Sequence, residues 1–177
     1  MIIQVRGTSG SGKSTVVKTV MDCTRGWNPH IIESRKKPLY YQVGNVTILG
    51  HYESPCGGCD TIGSAKSIYG LVQQLDSPLI ICEGLLLSED VKWTSQMSNP
   101  FVLFLTTPLD RCLKQIVYRR KQANNDKPLN PKNTTNRVIT IERARRRLID
   151  LGIDCRRCSC NQAVKLILKY IGEHNGV

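Results

Sequence analysis

The chain has 177 residues, of which 40% are apolar and 6% aromatic, and its formal net charge is +11. This length fits one domain, since domains span roughly 100–200 residues. No stretch approaches the about 18 apolar residues of a membrane-spanning helix, and the N-terminal residues lack the features of a signal peptide. We therefore expect a single soluble domain over residues 1–177, located in the cytoplasm.

The positive charge is concentrated in one segment. Residues 111–147 contain twelve Lys or Arg and two acidic residues, which gives +10, whereas the rest of the chain has thirteen bases and twelve acids. Such a segment attracts polyanions, including nucleic acids. It is equally typical of a kinase lid, which needs several arginines for the triphosphate alone. Charge alone leaves both interpretations open.

The first predicted elements are a strand over residues 2–5 and a helix over residues 14–20, joined by a glycine-rich loop. The loop, GTSGSGKS over residues 7–14, matches the P-loop pattern in every fixed position. Its glycines let backbone N–H groups surround phosphate oxygens at the positive end of the helix. The alternative is a glycine-rich turn that binds nothing, but the flanking strand and helix favour a nucleotide site.

Within this loop, Lys13 is expected to bind the β- and γ-phosphates of ATP, and the Ser14 hydroxyl to bind Mg²⁺. The expected nucleotide-binding residues are Gly7, Thr8, Ser9, Gly10, Ser11, Gly12, Lys13, Ser14 and Thr15.

The next region is predicted to be a hairpin followed by a glycine-rich loop. The β-rich runs 39–43 and 46–49 flank Gly44-Asn45, a dipeptide typical of tight hairpin turns. Residues 50–63 then form the most unusual segment of the chain, with the sequence GHYESPCGGCDTIG. We expect this loop to cover the nucleotide site from the side opposite the P-loop.

A P-loop protein of this kind is expected to transfer the γ-phosphoryl group of ATP to a hydroxyl group of an acceptor. Three carboxylates are candidates for the base that takes the proton of this hydroxyl. Asp60 is favoured, because a positioned carboxylate does this work in other kinases, although an Asp here also suits the cap of the helix beginning near Ser64. Glu33 is a rival base, and Arg35 beside it is a candidate substrate contact. The third carboxylate is Glu83.

Glu83 ends a predicted buried strand over residues 79–82, which follows an amphipathic helix over residues 64–76. In a P-loop sheet, this position places the carboxylate next to the phosphates and the metal. Glu83 is therefore expected to bind Mg²⁺ together with Ser14, or to orient the nucleophile.

The basic segment is predicted to form a helical lid over residues 119–147. A strand over residues 101–105 leads into a helix over 109–120, a polar and mobile loop over 122–136, and a second helix containing Val138 and Leu148. Arginines from such a lid neutralise charge on the transferred phosphoryl group. Arg119 and Arg143 are the expected catalytic arginines.

A closing helix containing residues 164–171 completes the pattern. Strands that alternate with helices predict an α/β fold with a mostly parallel sheet and helices on both faces.

The cysteines raise the separate question of zinc. Cys56-Gly-Gly-Cys59 and Cys155-Arg-Arg-Cys158 have the pair spacing of zinc ligands. The two pairs lie about a hundred residues apart, much further than in ordinary zinc fingers, so a shared site depends on the fold. A Gly-Gly between cysteines also suits a backbone that approaches a substrate closely. Zinc is the less favoured interpretation.

Taken together, several motifs resemble the 5-hydroxymethyluracil DNA kinases of bacteriophages with hypermodified DNA, over residues 2 to about 170. The motifs are the P-loop, Gly50-His51-Tyr52, the CGGCDTI loop over residues 56–62, Glu83-Gly84, Thr107-Pro108-Leu109-Asp110 and the basic run 142–147.

The resemblance implies transfer of the γ-phosphoryl group of ATP, with Mg²⁺, to the hydroxymethyl group of the modified base within DNA. It implies DNA as the partner and the host cell's cytoplasm as the location. A base in duplex DNA would leave its stack to reach Asp60, and Tyr52 is a candidate to stack on it. The alternatives are a kinase of a free nucleoside, nucleotide or other small metabolite, and, less favoured, a P-loop NTPase that is not a kinase.

Overall fold

A computed structural model describes residues 1–54, 57–125 and 128–175. Seven strands in this part of the chain form one sheet with the order β2-β3-β4-β5-β1-β6-β7. The strands are β1 (Ile2–Arg6), β2 (Asn28–His30), β3 (Tyr40–Val43), β4 (Val46–Leu49), β5 (Leu79–Glu83), β6 (Pro100–Leu105) and β7 (Asp154–Cys158). The helices are α1 (Lys13–Cys23), α2 (Ala65–Gln74), α3 (Leu85–Glu89), α4 (Leu109–Gln122), α5 (Pro131–Asp150) and α6 (Cys160–Asn175).

The sheet is mostly parallel and is covered on both faces. β4, β5, β1, β6 and β7 run parallel, whereas β2 and β3 extend one edge as an antiparallel ribbon. On one face, Ile3 and Val5 of β1 pack with apolar residues of α1 and α6. On the other face, α2 packs on β5 and α5 packs on β6. The predicted α/β fold class is confirmed.

The elements that differ from the sequence-based prediction include α5 and β7. α5 begins at Pro131, so the predicted loop over residues 122–136 is wrong in its second half. The Asn130 side chain caps this helix by accepting a hydrogen bond from the backbone N–H of Lys132 at 3.0 Å, and Pro131 occupies the first turn. β7 was not predicted, because its two central residues are arginines and it lies at the sheet edge, where only one side is paired.

The order of the central strands fixes where a site forms. β1 lies between β5 and β6, and Val5 stands opposite Glu83 in the parallel register. Because parallel strands end at the same edge, the loop after β1, Glu83 and the turn after β6 meet there, as in other open α/β sheets. Across residues 1–54, 57–125 and 128–175, no helix has the length and apolar character needed to cross a membrane.

The fold separates three of the four cysteines proposed as zinc ligands, and the fourth, Cys56, lies outside the described residues. Cys59 packs against α2, Cys155 packs against α5, and Cys158 lies in the cluster on the α1–α6 face. Cys155 and Cys158 are not a turn of the kind that forms a metal knuckle, because they lie three residues apart on a strand and point to opposite faces. In the described part of the chain, no group of three His, Cys, Asp or Glu is arranged to hold a metal ion.

Candidate active site

The P-loop connects β1 to α1 and has the backbone conformation its glycines permit. Gly10 and Gly12 have positive φ angles of 77° and 97°. A Cβ at Gly10 would collide with the backbone carbonyl of Cys112, so α4 packs directly against the loop. Thr8 and Ser11 have buried hydroxyls without a hydrogen-bond partner in the described protein. Because buried hydroxyls are nearly always paired, this arrangement suits a loop that completes its hydrogen bonds on phosphate oxygens.

Lys13 is buried at the start of α1 and its ammonium group folds back over the loop. Its Nζ donates to the carbonyls of Gly7 at 2.9 Å and Thr8 at 3.1 Å. Burial lowers the pKa of Lys13, while the negative charges of Glu83 and Asp60 raise it. The lysine charge is therefore held in the loop by weak neutral acceptors, which phosphate oxygens would replace as stronger partners.

Glu83 and Ser14 form a pair of oxygen ligands at the end of β5. The Ser14 hydroxyl donates to Glu83 Oε1 at 2.8 Å, and Glu83 is 1% exposed. Burial raises the pKa of Glu83 to about 7, although Lys13 and the Ser14 hydrogen bond lower it. A hydroxyl beside a carboxylate fits a partly hydrated Mg²⁺, which prefers oxygen ligands and keeps several waters. The two residues predicted to bind the metal therefore lie together.

Asp60 lies at the other wall of the site, in the short 3₁₀ turn Cys59–Thr61. Its carboxylate accepts hydrogen bonds from the backbone N–H groups of Leu85 at 2.9 Å and Leu86 at 3.1 Å, and so caps α3. The helix near Ser64 is capped by Ser64 itself, whose hydroxyl accepts from the Ser67 N–H. Asp60 is thus a capping residue, but of a helix that the sequence did not predict.

A second link ties α3 to the P-loop. The Ser88 hydroxyl accepts a hydrogen bond from the Gly7 N–H at 3.1 Å and lies 2.7 Å from the Gly84 carbonyl, to which it donates. Ser88 is fully buried. Sequence reasoning missed this residue, because a serine in a short helix carries no recognisable signal. The consequence is that the P-loop, α3 and Asp60 form one connected frame around the site.

The loop before Asp60 is packed against Glu83. Gly58 has a φ of 73°, and a Cβ there would collide with the Glu83 carboxylate. A Cβ at Gly57 would collide with the carbonyl oxygen of His51. The Gly-Gly of the CGGC motif is therefore required by the close approach of its backbone to Glu83 and His51, and a close approach to a substrate stays a prediction.

These residues line one cavity of about 740 Å³. Its walls include P-loop residues from Ser9 to Thr15, together with Asp60 and Glu83. Two arginines of α4, Arg111 and Arg119, are also part of the lining. The predicted Arg119 is thus close to the phosphate site, and Arg111, which the sequence analysis did not single out, accompanies it two helical turns earlier. Both are positioned to neutralise charge on a triphosphate.

Arg143 is a correction. It is exposed on α5 and does not line the cavity, whereas Ile141, Ala144 and Leu148 of the same helix face the core. Only the first turns of α5 approach the site; the 142–147 run lies further along, where Arg145 pairs with Glu142 at 2.7 Å. We therefore remove Arg143 from the catalytic residues.

Tyr52 is a second correction. Its ring is 6% exposed and belongs to the core cluster on the α1–α6 face, and its hydroxyl donates to the Leu49 carbonyl at 3.1 Å. Stacking on a base would require removal of this ring from the core. Tyr52 therefore supports the loop that carries Asp60 rather than the substrate.

The remaining two candidates lie on the ribbon side of the site. Glu33 is exposed in a turn after β2 and does not line the cavity, which disfavours it as the base. Arg35 is half-buried and donates to the carbonyl of Thr61 at 2.8 Å. Arg35 thus braces the turn containing Asp60, and a direct contact with substrate stays a prediction.

No family model matches the chain. Two solved structures align with nearly its whole length: a de novo designed protein with a P-loop NTPase fold, at 10% identity and a TM-score of 0.42 over 94% of that chain, and an uncharacterized protein from Eubacterium ventriosum, at 15% identity and a TM-score of 0.43 over 98% of that chain. These scores are too low to support an argument.

Three curated relatives are informative, and each is named a 5-hmdU DNA kinase. The protein of Pseudomonas phage PaMx11 is 39% identical over 145 residues, which is 75% of this chain and 77% of the relative. The protein of Pseudomonas phage M6 is 27% identical over 96% of both chains, and that of Delftia phage PhiW-14 is 24% identical over 86% of this chain and 65% of the relative. The likeness to the PaMx11 protein is high enough, over enough of both chains, to place this chain in the family of phage 5-hmdU DNA kinases.

Proposed function

We propose that the chain is a single P-loop kinase domain that transfers the γ-phosphoryl group of ATP to the hydroxymethyl group of 5-hydroxymethyluracil in DNA. The observation that carries the proposal is the union of Lys13, the Ser14–Glu83 pair and Asp60 around one cavity, in a chain whose relatives are named for this activity. We place the reaction in the cytoplasm of the host cell.

The phosphate-binding half of the site positions ATP. The P-loop N–H groups hold the phosphate oxygens, and Lys13 exchanges its carbonyl partners for the β- and γ-phosphates. Ser14 and Glu83 would hold Mg²⁺, which would supply positive charge to offset the charge of the phosphates. Arg111 and Arg119 offset the charge that develops on the transferred group.

The acceptor half of the site supplies the proton acceptor. The hydroxymethyl oxygen attacks the γ-phosphorus, the bond from that phosphorus to the β,γ-bridging oxygen breaks, and ADP leaves. Asp60 accepts the hydroxyl proton, since its carboxylate lies in the cavity and is held rigidly by the Leu85 and Leu86 N–H groups. The products are ADP and a phosphomethyl base in DNA.

The direct test is transfer of label from γ-labelled ATP to three acceptors: DNA containing 5-hydroxymethyluracil, the same DNA with thymine, and the free modified nucleoside. We expect label only in the first. Lys13→Ala should abolish transfer. Label in the nucleoside but not in DNA would replace the proposal by a small-molecule kinase, and hydrolysis of ATP without transfer to any acceptor would refute a kinase.

A further inference from the structure

A second, smaller cavity opens beside the nucleotide site. It has a volume of about 250 Å³ and lies between the P-loop, the start of α3, the end of α4 and the first turns of α5. Ser9 and Leu85 line both cavities, so the two cavities are neighbours that share these residues as a boundary. The mechanism above makes no use of this space.

We propose that this smaller cavity receives the acceptor base, swung out of the DNA, with its hydroxymethyl group directed to the boundary at Ser9 and Leu85. The inference rests on the proposed function, because it takes the acceptor to be a pyrimidine carrying a hydroxymethyl group. It goes further by placing the base on the α4–α5 side of the P-loop and assigning residues to it.

The position of the boundary brings the reacting groups together. Ser9 belongs to the loop that holds the phosphates, and the Leu85 N–H donates to the Asp60 carboxylate at 2.9 Å. A hydroxyl that crosses this boundary therefore has the γ-phosphate on one side and Asp60 on the other. The hydroxyl oxygen bonds to the γ-phosphorus as the bridging bond to ADP breaks, and Asp60 takes the proton.

The lining matches a pyrimidine ring. The inner wall is apolar, with Ile116, which is 8% exposed, beside Leu85 and Leu129, and these side chains suit the faces of a flat ring. The Asn133 side chain lines the opening and carries both an amide N–H₂ donor and a carbonyl acceptor. This pair complements the adjacent carbonyl acceptor and N3–H donor on the Watson–Crick edge of uracil, the edge by which enzymes read a flipped base.

The size and basic lining of the cavity favour a base that is still attached to DNA. A volume of 250 Å³ lies below the roughly 300–1,000 Å³ of sites for drug-sized ligands, so it suits a single base whose sugar and phosphates stay outside. Arg120 and Arg137 also line this cavity, Arg120 half-buried and Arg137 exposed. Arg137 gives one N–H to Glu89 at 3.4 Å and is 45% exposed, so its guanidinium reaches solvent where flanking phosphates would lie.

A cavity of this kind needs no residue that rejects unmodified DNA. Thymine has the same ring and the same Watson–Crick edge, so the cavity would accept it. Its methyl group offers no oxygen to attack the γ-phosphate. Unmodified DNA is therefore expected to compete with the substrate and to receive no phosphate.

The test compares variants of two asparagines on α5. Asn133→Ala removes the amide from the cavity, and Asn133→Trp fills it; Asn136→Ala and Asn136→Trp are matched controls one turn along, outside both cavities. Initial rates are measured with a DNA strand containing one 5-hydroxymethyluracil, and ATP binding is measured separately for each variant.

We expect Asn133→Ala to lower kcat/KM for DNA about tenfold, because its two amide hydrogen bonds to the base together contribute about 1.4 kcal/mol at this exposed position. Asn133→Trp should lower it by at least about 100-fold, because an occupied cavity loses both the hydrogen bonds and the ring contacts. ATP binding should stay within about twofold for all four variants, and both Asn136 variants should match the wild type, since neither asparagine lies in the nucleotide cavity.

Other outcomes separate this inference from the proposed function. Normal transfer by both Asn133 variants would overturn the cavity and leave the DNA kinase standing. A parallel loss of ATP binding would overturn it too, because the space would then belong to the nucleotide site. If the wild type phosphorylated only the free nucleoside, and Asn133→Trp abolished this activity, DNA would be ruled out as the substrate. The assignment of the smaller cavity to the acceptor would then be supported. A wild type that phosphorylated no acceptor would overturn both.

Discussion

The Asp60 carboxylate caps α3, and we propose that it is also the catalytic base. Each oxygen accepts one backbone N–H from the start of α3, and each retains a further lone pair toward the cavity. The capping bonds fix the carboxylate in direction, which a catalytic base requires. A substitution that keeps the cap of α3 but removes the proton acceptor should therefore separate these two roles.

Asp60→Asn is the substitution that separates them. Its amide oxygen still accepts a backbone N–H, so the free energy of unfolding should fall by only about 1 kcal/mol. Turnover should fall about 100-fold or more, since general-base catalysis contributes about 10²–10⁴. Turnover at saturating ATP, measured with urea denaturation of the same protein, checks both. Near-normal turnover with intact ATP binding would show that Asp60 is not the base.

Glu83 makes the stability of the metal-free protein depend on pH. Its pKa is about 7 in the folded protein, against an ordinary value of 4.5. Between these values the folded protein keeps a proton that the unfolded chain has released, so this contribution to stability is complete below pH 4.5 and is lost as pH rises through 7. Glu83→Gln should therefore gain stability relative to the wild type over that range, by up to about 3 kcal/mol.

Urea denaturation without Mg²⁺ at several pH values measures this gain. Glu173→Gln is the control, because Glu173 is exposed on α6 and pairs with Lys169 one helical turn away. If the stability of Glu83→Gln followed that of the wild type in parallel across pH 4–8, the raised pKa of Glu83 would be wrong.

At the scale of elements, α4 and α5 have different positions, although the sequence predicted that both form one lid. α4 presses on the P-loop at Gly10 and brings Arg111 and Arg119 into the nucleotide cavity. α5 uses its middle to cover β6 and offers only its first turns to the site. Substitution of an arginine on α4 is therefore expected to affect kcat differently from substitution of an arginine in the middle of α5.

The contrast is testable with two alanine substitutions. Arg119→Ala should lower kcat about 10²-fold or more, because it removes charge next to the transferred phosphoryl group. Arg143→Ala should leave kcat unchanged at saturating DNA, since Arg143 is exposed outside the cavity. Steady-state kinetics with varied DNA measure both, and an equal loss of kcat in the two variants would return Arg143 to the catalytic site.

The sequence predicted what short-range patterns determine. The P-loop is a local motif, and the Glu83 strand and the Gly44-Asn45 turn follow from a few neighbouring residues. The Asp60–Leu85 bond joins residues 25 apart, so no local pattern reveals it. The end of α5 that reaches the site depends on packing against β6, which the spacing of its arginines does not encode. Asn130-Pro131 did carry a helix-start signal, but the many polar neighbours concealed it.

At the scale of the whole molecule, the positive charge is concentrated in one segment, which forms most of α4 and α5. The segment 111–147 carries +10 of the net +11, and most of its basic side chains are exposed on α4 and α5. Two of these basic residues, Arg120 and Arg137, line the smaller cavity, so this basic surface includes that cavity. DNA drawn to this side would therefore be delivered base-first to the acceptor cavity.

DNA affinity should fall steeply with salt. Each phosphate neutralised contributes a slope of about −0.7 to −0.9 to the plot of log affinity against log salt concentration. Arg143→Ala and Arg147→Ala should each make this slope shallower by roughly one contact while leaving ATP binding unchanged. Fluorescence anisotropy with a labelled strand at several salt concentrations gives the slope. An affinity independent of salt would refute a DNA-binding role for this side of the molecule.

The two glycines before Asp60 have a consequence for how the two halves of the site are coupled. Gly58 rests directly on the Glu83 carboxylate, and Asp60 follows only two residues later. Gly58 has no side chain that could change its rotamer. A shift of the Glu83 carboxylate on binding Mg²⁺ would therefore move the backbone of this loop. If Glu83 holds Mg²⁺ and Asp60 is the base, as proposed, binding of the metal with the nucleotide would be communicated to the acceptor side of the site through the Gly58 backbone.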